Sequence, residues 1–157
     1  MAVTYGRDKL TGTTKTQGDF NLANRFNLEI DGVQVGGVHS IEGFESETEV
    51  VEYKDGEGGV VQTRPGQHKP VVITITKDWS NTSEFYKWRK AVLDGKVERK
   101  SLSIIFHNDA SEEAGRINLF NAWPISWTGP NLNARNSGHA TEKLKISAET
   151  FELKAGG

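Results

Sequence analysis

Residues 44–70, FESETEVVEYKDGEGGVVQTRPGQHKP, place two apolar runs on either side of a polar, glycine-rich centre. Val50, Val51 and Tyr53 precede this centre, and the turn sequence Arg64-Pro65-Gly66 follows it. This order predicts a strand, a long exposed arm and a return strand. Loops longer than about 12–15 residues are uncommon inside compact domains unless they are functional or disordered. We therefore expect the arm to reach a neighbouring subunit.

The start of this stretch carries carboxylates at alternate positions, Glu45, Glu47 and Glu49. Residues two apart in a strand share a face and lie roughly 7 Å apart, so these side chains are predicted to form an acidic row. A solvated strand face explains such a row in an isolated monomer. A basic surface that covers the row is the alternative explanation, because it would relieve the repulsion between like charges.

Opposite charges are concentrated in two blocks of an almost neutral chain, whose net charge is −2. Residues 42–58 hold seven acidic and one basic side chain, a net of −6, whereas residues 87–100 hold six basic and two acidic, a net of +4. The two blocks could pair within one molecule. Between copies they would form a head-to-tail contact, which either closes into a ring or continues as a filament.

The length and composition indicate one globular domain, since 157 residues suffice for a single core and 25% of them are charged. The chain has no cysteine, which excludes a disulfide framework and thiolate metal sites. The sequence shows neither a signal peptide nor a membrane span, so we expect synthesis in the cytoplasm and no stable membrane insertion. Residues 1–19 are polar and lack periodicity, which predicts a flexible arm before a β domain at 20–157.

Short runs of alternating apolar and polar residues predict a mainly β fold. Residues 33–38 are expected to form a strand that is broken or bulged at Gly36-Gly37, and residues 141–153 a strand with a bulge near Glu149. In all we expect six or seven strands and one helix. The economical architecture is an antiparallel β-sandwich or barrel with the helix against one face or opening.

The single predicted helix is amphipathic, because Phe85 and Trp88 lie on one face. Asn81 and Glu84 have the spacing of a capping box at its start, and Gly95 marks its end. So short a helix is marginally stable alone, so we expect it to pack against a sheet.

No constellation in the sequence points to catalysis. The four histidines, His39, His68, His107 and His139, lack the spacing of a metal pair. His107 with Asp109 is the nearest approach to an acid/base pair, and it falls in a predicted turn. The carboxylate row lacks the converging, desolvated pair that a glycosidase requires. We therefore predict no catalytic, cofactor-binding or metal-ligating residue and no cofactor, and an enzyme is the least favoured class.

Several motifs together resemble those of one family. They are Phe26-x-Leu28-x-Ile30-Asp31-Gly32, Gly37-x-x-x-Ile41-x-Gly43-Phe44, Glu47-x-Glu49-Val50-Val51-Glu52-Tyr53, Phe85-x-x-Trp88 and, most specifically, Asn121-Ala122-Trp123-Pro124-x-x-Trp127-x-Gly129-Pro130. The chain is similar, over about residues 25–153, to contractile-tail tube proteins. These are the phage tail tube proteins and the inner tube proteins of extracellular contractile injection systems. Phe44 stands where the family usually has leucine, and Lys69-Pro70 where it usually has a lysine and an aromatic residue.

The resemblance implies a structural subunit, six copies of which join their sheets into a ring. The rings stack into a hollow tube that a contracting sheath drives through a target envelope. The family's contact arm corresponds here to about residues 53–69. Expected partners are further copies of the chain, the sheath, baseplate, spike and tape-measure proteins, and a cargo of protein effector or DNA in the lumen. The assembled particle would be a phage tail or an injection particle, which can act outside the cell.

The predicted subunit or ring interface combines the acidic row, the arm, the basic block and two tryptophans. It comprises Glu45, Glu47, Glu49, Glu52, Tyr53, Lys54, Asp55, Glu57, Arg64, Lys69, Lys87, Arg89, Lys90, Trp123 and Trp127. Two alternatives stay open at this point. A base ring that joins the tube to the spike would show nearly the same motifs. A carbohydrate-binding β module could use Trp79, Trp123 and Trp127 to stack on sugars.

Overall fold

The computed structural model describes residues 25–54, 56, 58–81, 83–108, 110–135 and 138–155. The predicted N-terminal arm and the side chains of Asp55, Glu57 and Asp109 lie outside these residues. The described part contains ten strands and one helix: β1 (Phe26–Ile30), β2 (Val33–Val35), β3 (Val38–Glu42), β4 (Thr48–Lys54), β5 (Val61–His68), β6 (Val71–Asp78), α1 (Glu84–Leu93), β7 (Lys100–His107), β8 (Glu113–Thr128), β9 (Thr141–Ala148) and β10 (Thr150–Ala155).

The long strand β8, of 16 residues, joins two antiparallel sheets. Its first half pairs with β7 and β10, and its second half, from Trp123, pairs with β9. The first sheet has the order β2-β1-β7-β8-β10, and the second has the order β3-β6-β9-β8. Asn121, with a left-handed φ of 52°, lies where β8 passes from one sheet to the other. The predicted antiparallel sandwich with one helix is thus confirmed.

The hydrophobic core lies between the two sheets and beneath α1. Every second residue of β6 and of β9 is buried, which is the period expected of strands with one face inward. The core consists of Leu28, Val71, Ile73, Ile75, Phe85, Trp88, Leu102, Ile104, Ile117, Leu119, Ala122, Leu144, Ile146 and Ala148. The predicted inward face of the helix, with Phe85 and Trp88, is therefore confirmed.

The start of the helix differs from the prediction. Ser83 is the N-cap, and its hydroxyl accepts a hydrogen bond of 3.2 Å from the backbone N–H of Tyr86. The predicted capping box of Asn81 and Glu84 is wrong, because the cap lies two residues later than Asn81. The predicted end is confirmed, since Gly95 follows the C-cap Asp94 with a φ of 85° and donates its N–H to a helix carbonyl.

The predicted break at Gly36-Gly37 is confirmed, whereas the bulge predicted near Glu149 is also a break between two strands, and at both places the chain changes its pairing partner. At Gly36-Gly37 the chain leaves β2, which pairs with β1, and enters β3, which pairs with β6. At Glu149 it leaves β9, which pairs with β6 and the second half of β8, and enters β10, which pairs with the first half of β8. These two crossings account for two of the strands by which the prediction of six or seven falls short of the ten observed.

Gly43 ends β3 in a conformation that requires glycine. Its φ is 101°, and a Cβ atom there would lie 2.5 Å from the carbonyl oxygen of Val72. We expect Gly43→Ala to lower the free energy of unfolding by about 1–3 kcal/mol, because the substitution adds a clash to backbone strain. Urea unfolding measures this loss. Gly36→Ala is the matched control, since a Cβ at Gly36 meets nothing within 4 Å. Equal losses in the two variants would contradict the prediction.

Candidate assembly interface

Strands β4 and β5 form a hairpin that stands apart from the sandwich. Within the described residues they pair only with each other. Thr48 and Gly66 are partly buried, and the other residues of the two strands are exposed. Seven residues of strand span about 23 Å at ~3.3 Å per residue, so the hairpin extends well beyond its base. The predicted exposed arm with a return strand is thus confirmed, and much of the arm is itself β-structure. The predicted turn at Arg64-Pro65-Gly66 is wrong, because these residues lie within β5, where Arg64 and Pro65 pair with β4.

The hairpin carries apolar side chains into solvent. Val60, Val50 and Tyr53 are exposed by 70%, 66% and 46% of their surface. The guanidinium of Arg64 lies 6.0 Å from the centre of the Tyr53 ring, on the same face of the hairpin. Apolar patches on a two-stranded sheet with free edges are typical of surfaces that bind another chain.

Carboxylates lie at the base of the hairpin, but they do not form the acidic row that was predicted on one face of a strand. Residues 43–47 have no regular secondary structure, and β4 begins only at Thr48, so the predicted strand through Glu45 and Glu47 is wrong. Glu47 nevertheless lies 3.0 Å from the ammonium of Lys69. Its hydrogen bond and charge, with the charges of Glu49 and Glu45, raise the pKa of Lys69. We call Glu45, Glu47, Glu49 and Lys69 the acidic base cluster.

The basic block, residues 87–100, contributes several cationic side chains to the exposed side of α1. A shallow depression of about 280 Å³ is lined by Lys87, Lys90, Ala91, Asp94 and Lys96, and we call it the lysine depression. Lys87 approaches Glu84 only to 3.9 Å. Among the described residues no carboxylate forms an ion pair with Lys90 or Lys96.

Other cations of the basic block serve the fold. Arg89 is half-buried and donates a hydrogen bond of 3.2 Å to the carbonyl of Pro124 in β8. Arg99 forms an ion pair of 2.9 Å with Glu149. In the part of the chain that the structure describes, no ion pair joins residues 42–58 to residues 87–100. The charge blocks therefore do not neutralise each other within one molecule.

The two predicted interface tryptophans have different surroundings. Trp127 is half-buried, its ring centre lies 5.1 Å from that of Tyr86, and its indole N–H donates to Glu142. Trp123 is half-buried and pairs with Ser147 of β9, at the outer face of the second sheet. Their part in subunit contacts stays a prediction, as does that of Glu52, Lys54 and the other exposed hairpin residues.

A buried ionic network between the sandwich and α1 was missed in the sequence. The carboxylate of Glu142 is fully buried and accepts hydrogen bonds from Ser83 Oγ at 2.7 Å and Trp127 Nε1 at 2.9 Å. The ammonium of Lys77 lies 3.2 Å from it and 5.0 Å from the Phe85 ring centre. The alternation of buried residues along the two strands could have indicated it. Lys77 is the last residue of the inward-facing set in β6, and Glu142 is the first residue of the inward-facing set in β9.

An exposed ion pair gives a pH-dependent prediction. His39 Nε2 lies 2.5 Å from a carboxylate oxygen of Asp78, and this hydrogen bond lowers the pKa of Asp78 below its usual range. Because the folded-state pKa is depressed, the pair contributes stability above the unfolded pKa and loses it as pH falls through the folded pKa. We expect His39→Ala to raise the Asp78 pKa, measured by NMR titration of the carboxyl carbon. An unchanged pKa would contradict this assignment.

The described residues contain no group of three His, Asp or Glu side chains that could hold a metal ion. No helix in the described part of the chain is long and apolar enough to cross a membrane. A cavity of about 540 Å³ lies between the β1–β2 turn and α1, with Phe85 and Trp88 in its wall. The tryptophans considered for sugar stacking do not line this cavity.

Comparison with known proteins agrees with this architecture. The family model for the T4-like virus tail tube protein gp19 matches residues 22–152. A search of curated proteins found no significant match. Among solved structures, a chain of the PVC sheath-tube complex of an extracellular contractile injection system in its extended state is 25% identical, with a TM-score of 0.80. The match covers 91% of this chain and 97% of that one.

Two further structures extend the comparison. A chain of the anti-feeding prophage tube terminating cap is 25% identical over 99% of this chain and 95% of that one, with a TM-score of 0.78. Hcp1 from Flavobacterium johnsoniae, at 18% identity, 84% and 96% coverage and a TM-score of 0.52, shares the fold. The resemblance seen in the sequence motifs is confirmed, and the chain belongs to the T4-like tail tube protein family.

Proposed function

We propose that this protein is the structural subunit of the inner tube of a contractile injection system or phage tail. The observation that carries the proposal is a sandwich of the tail tube family from which an exposed, partly apolar hairpin projects. Six copies form a ring, and rings stack into a hollow tube. The tube is driven through a target envelope and conducts a cargo of protein effector or DNA.

Free strand edges support the ring. Within the described residues, β2 pairs only with β1 and β3 pairs only with β6, so each leaves one row of backbone N–H and C=O groups unpaired. Neighbouring copies can satisfy such edges by continuing each other's sheets. The contacts should be of the obligate class, burying roughly 2,000–5,000 Å², since the tube must survive ejection. The function is mechanical, and we propose no catalytic step.

A base ring that joins the tube to the spike is the alternative. The chain of the anti-feeding prophage baseplate that resembles this protein is 15% identical, which indicates a shared fold alone. The chains of a sheath-tube complex and of a tube cap are 25% identical. We therefore favour the tube. Sheath, baseplate, spike and tape-measure proteins are the proposed partners in the assembled particle.

Native mass spectrometry of the purified full chain tests the ring. We expect a species of six subunits of 17.3 kDa each, together with larger multiples of that ring. A chemically crosslinked ladder with its strongest high-mass band at six subunits would support the same conclusion. A single species of one subunit at every concentration would contradict the proposed function.

A further inference from the structure

The acidic base cluster and the lysine depression have complementary charges. The acidic base cluster has three carboxylates and one ammonium, a net of −2. The lysine depression has three ammonium groups and one carboxylate, Asp94, a net of +2. Both surfaces are exposed: the first lies at the base of the hairpin, and the second lies on the last turns of α1 and on the residues that follow it.

Neither surface finds its main charge partner in the part of the chain that the structure describes. Of the three carboxylates in the acidic base cluster, only Glu47 forms an ion pair among the described residues, and that pair lies inside the cluster. Lys90 and Lys96 have no carboxylate partner in that part of the chain either. Each molecule therefore offers one acidic and one basic surface of equal and opposite charge.

We infer that the acidic base cluster of one copy docks into the lysine depression of a second copy. This inference rests on the proposed function, and it names the surfaces that meet between neighbouring subunits of the tube. Two different surfaces of the same chain form a heterologous contact, which repeats from copy to copy without using either surface twice. Such a contact suits an assembly that continues along an axis.

The positions of the two surfaces leave both accessible to a second copy. The acidic base cluster lies where the hairpin leaves the sandwich, next to Phe44 in the sequence, which is partly exposed. The lysine depression is shallow, and Ala91 lines it together with the charged side chains. A second copy is favoured over a different acidic protein because the required partner surface is present, in equal number, on every subunit. Charge complementarity of this kind fixes the register of a contact and accelerates association.

Charge reversal tests the inference in the full chain. One variant carries Glu45→Lys and Glu49→Lys, a second carries Lys90→Glu and Lys96→Glu, and a third combines all four changes. The matched control carries Lys90→Arg and Lys96→Arg, which keeps both charges. Circular dichroism melting verifies that each variant is folded, as expected for exposed positions. Sedimentation and negative-stain electron microscopy then measure the fraction of protein in tubes.

We expect each double reversal to lower the tube fraction at low salt by at least about tenfold, since like charges then face each other. The combined variant should recover to within about threefold of the wild type, because opposite charges meet again, and the arginine control should assemble normally. Added salt should weaken wild-type assembly and improve that of the double reversals.

Two results would overturn the inference while the proposed function stands. One is that wild type and both double reversals form tubes equally well. The other is that the combined variant assembles no better than the double reversals, which would mean that the lysine depression and the acidic base cluster each contact some other surface of a neighbouring copy. A wild type that forms neither rings nor tubes would instead overturn the proposed function itself, so the two failures are distinguishable.

Discussion

We expect removal of the β4–β5 hairpin to abolish tube formation and to leave the subunit folded. The variant replaces residues 51–64 with Asn-Gly, a two-residue sequence that favours a tight turn, between the cross-strand partners Val50 and Pro65. Because the described residues of this segment are exposed and those of its two strands pair only with each other, the free energy of unfolding should change by less than ~1 kcal/mol. The loss of several exposed apolar side chains from an interface costs at least about 2 kcal/mol, or roughly thirtyfold in the association constant.

Sedimentation and electron microscopy measure this effect, with urea unfolding as the test of folding. A milder variant, in which Asn-Gly joins Lys54 to Val61, removes only the tip and keeps both strands. It should weaken stacking or ring closure less than the full deletion does. Normal tubes from the full deletion would show that the hairpin is a passive loop, and the account of its apolar surface would then be wrong.

Loss of the buried carboxylate produces the largest expected change in subunit stability. Glu142→Ala leaves the ammonium of Lys77, which is 8% exposed, without its counter-ion, and it deprives Trp127 of a hydrogen-bond acceptor. Breaking a buried ion pair by removing one partner costs about 3–5 kcal/mol. Ser83 also loses the acceptor of its hydroxyl proton, so the start of α1 should become less well ordered.

This loss is best measured by urea unfolding in the hairpin-deleted background, because assembly would otherwise add to the apparent stability. Glu152→Ala is the control, since Glu152 forms an exposed ion pair of 3.2 Å with Lys154 and its loss should matter little. The double variant Lys77→Met/Glu142→Leu should regain much of the stability, because apolar side chains of similar size tolerate burial. A loss below ~1 kcal/mol for Glu142→Ala would contradict this account of the network.

Periodicity explains which parts of the fold could be predicted from the sequence. The alternation in residues 71–76 and 144–148, and the spacing of Phe85 and Trp88, fix inward faces, because burial must follow the geometry of strand and helix. Strand partners are set by the tertiary structure, so the breaks at Gly36-Gly37 and Glu149 could not be recognised as sheet crossings. The alternation of inward-facing residues along β9 did indicate that Glu142 is buried. Charged residues are rarely buried in protein cores, so this indication was not followed.

The charges of the candidate interface could be predicted from the sequence, but the positions and partners of its side chains could not. The clustering of opposite charges in residues 42–58 and 87–100 is visible in the sequence, and no ion pair joins the two blocks among the described residues. The sequence could not show that Arg89 and Arg99 bind other parts of the fold while Lys90 and Lys96 form no ion pair with any described residue. It also could not show that Glu45 and Glu47 precede the strand, because one glycine at position 43 redirects the backbone there.

The central claim is that copies of this chain complete one another and that the functional object is the assembled tube. Cryo-electron microscopy of the purified full chain tests this claim most directly. The account predicts hollow tubes of stacked sixfold rings, in which the β4–β5 hairpin of each copy is covered by a neighbour. Isolated subunits at high concentration, or rings in which every hairpin lies free in solvent, would contradict it.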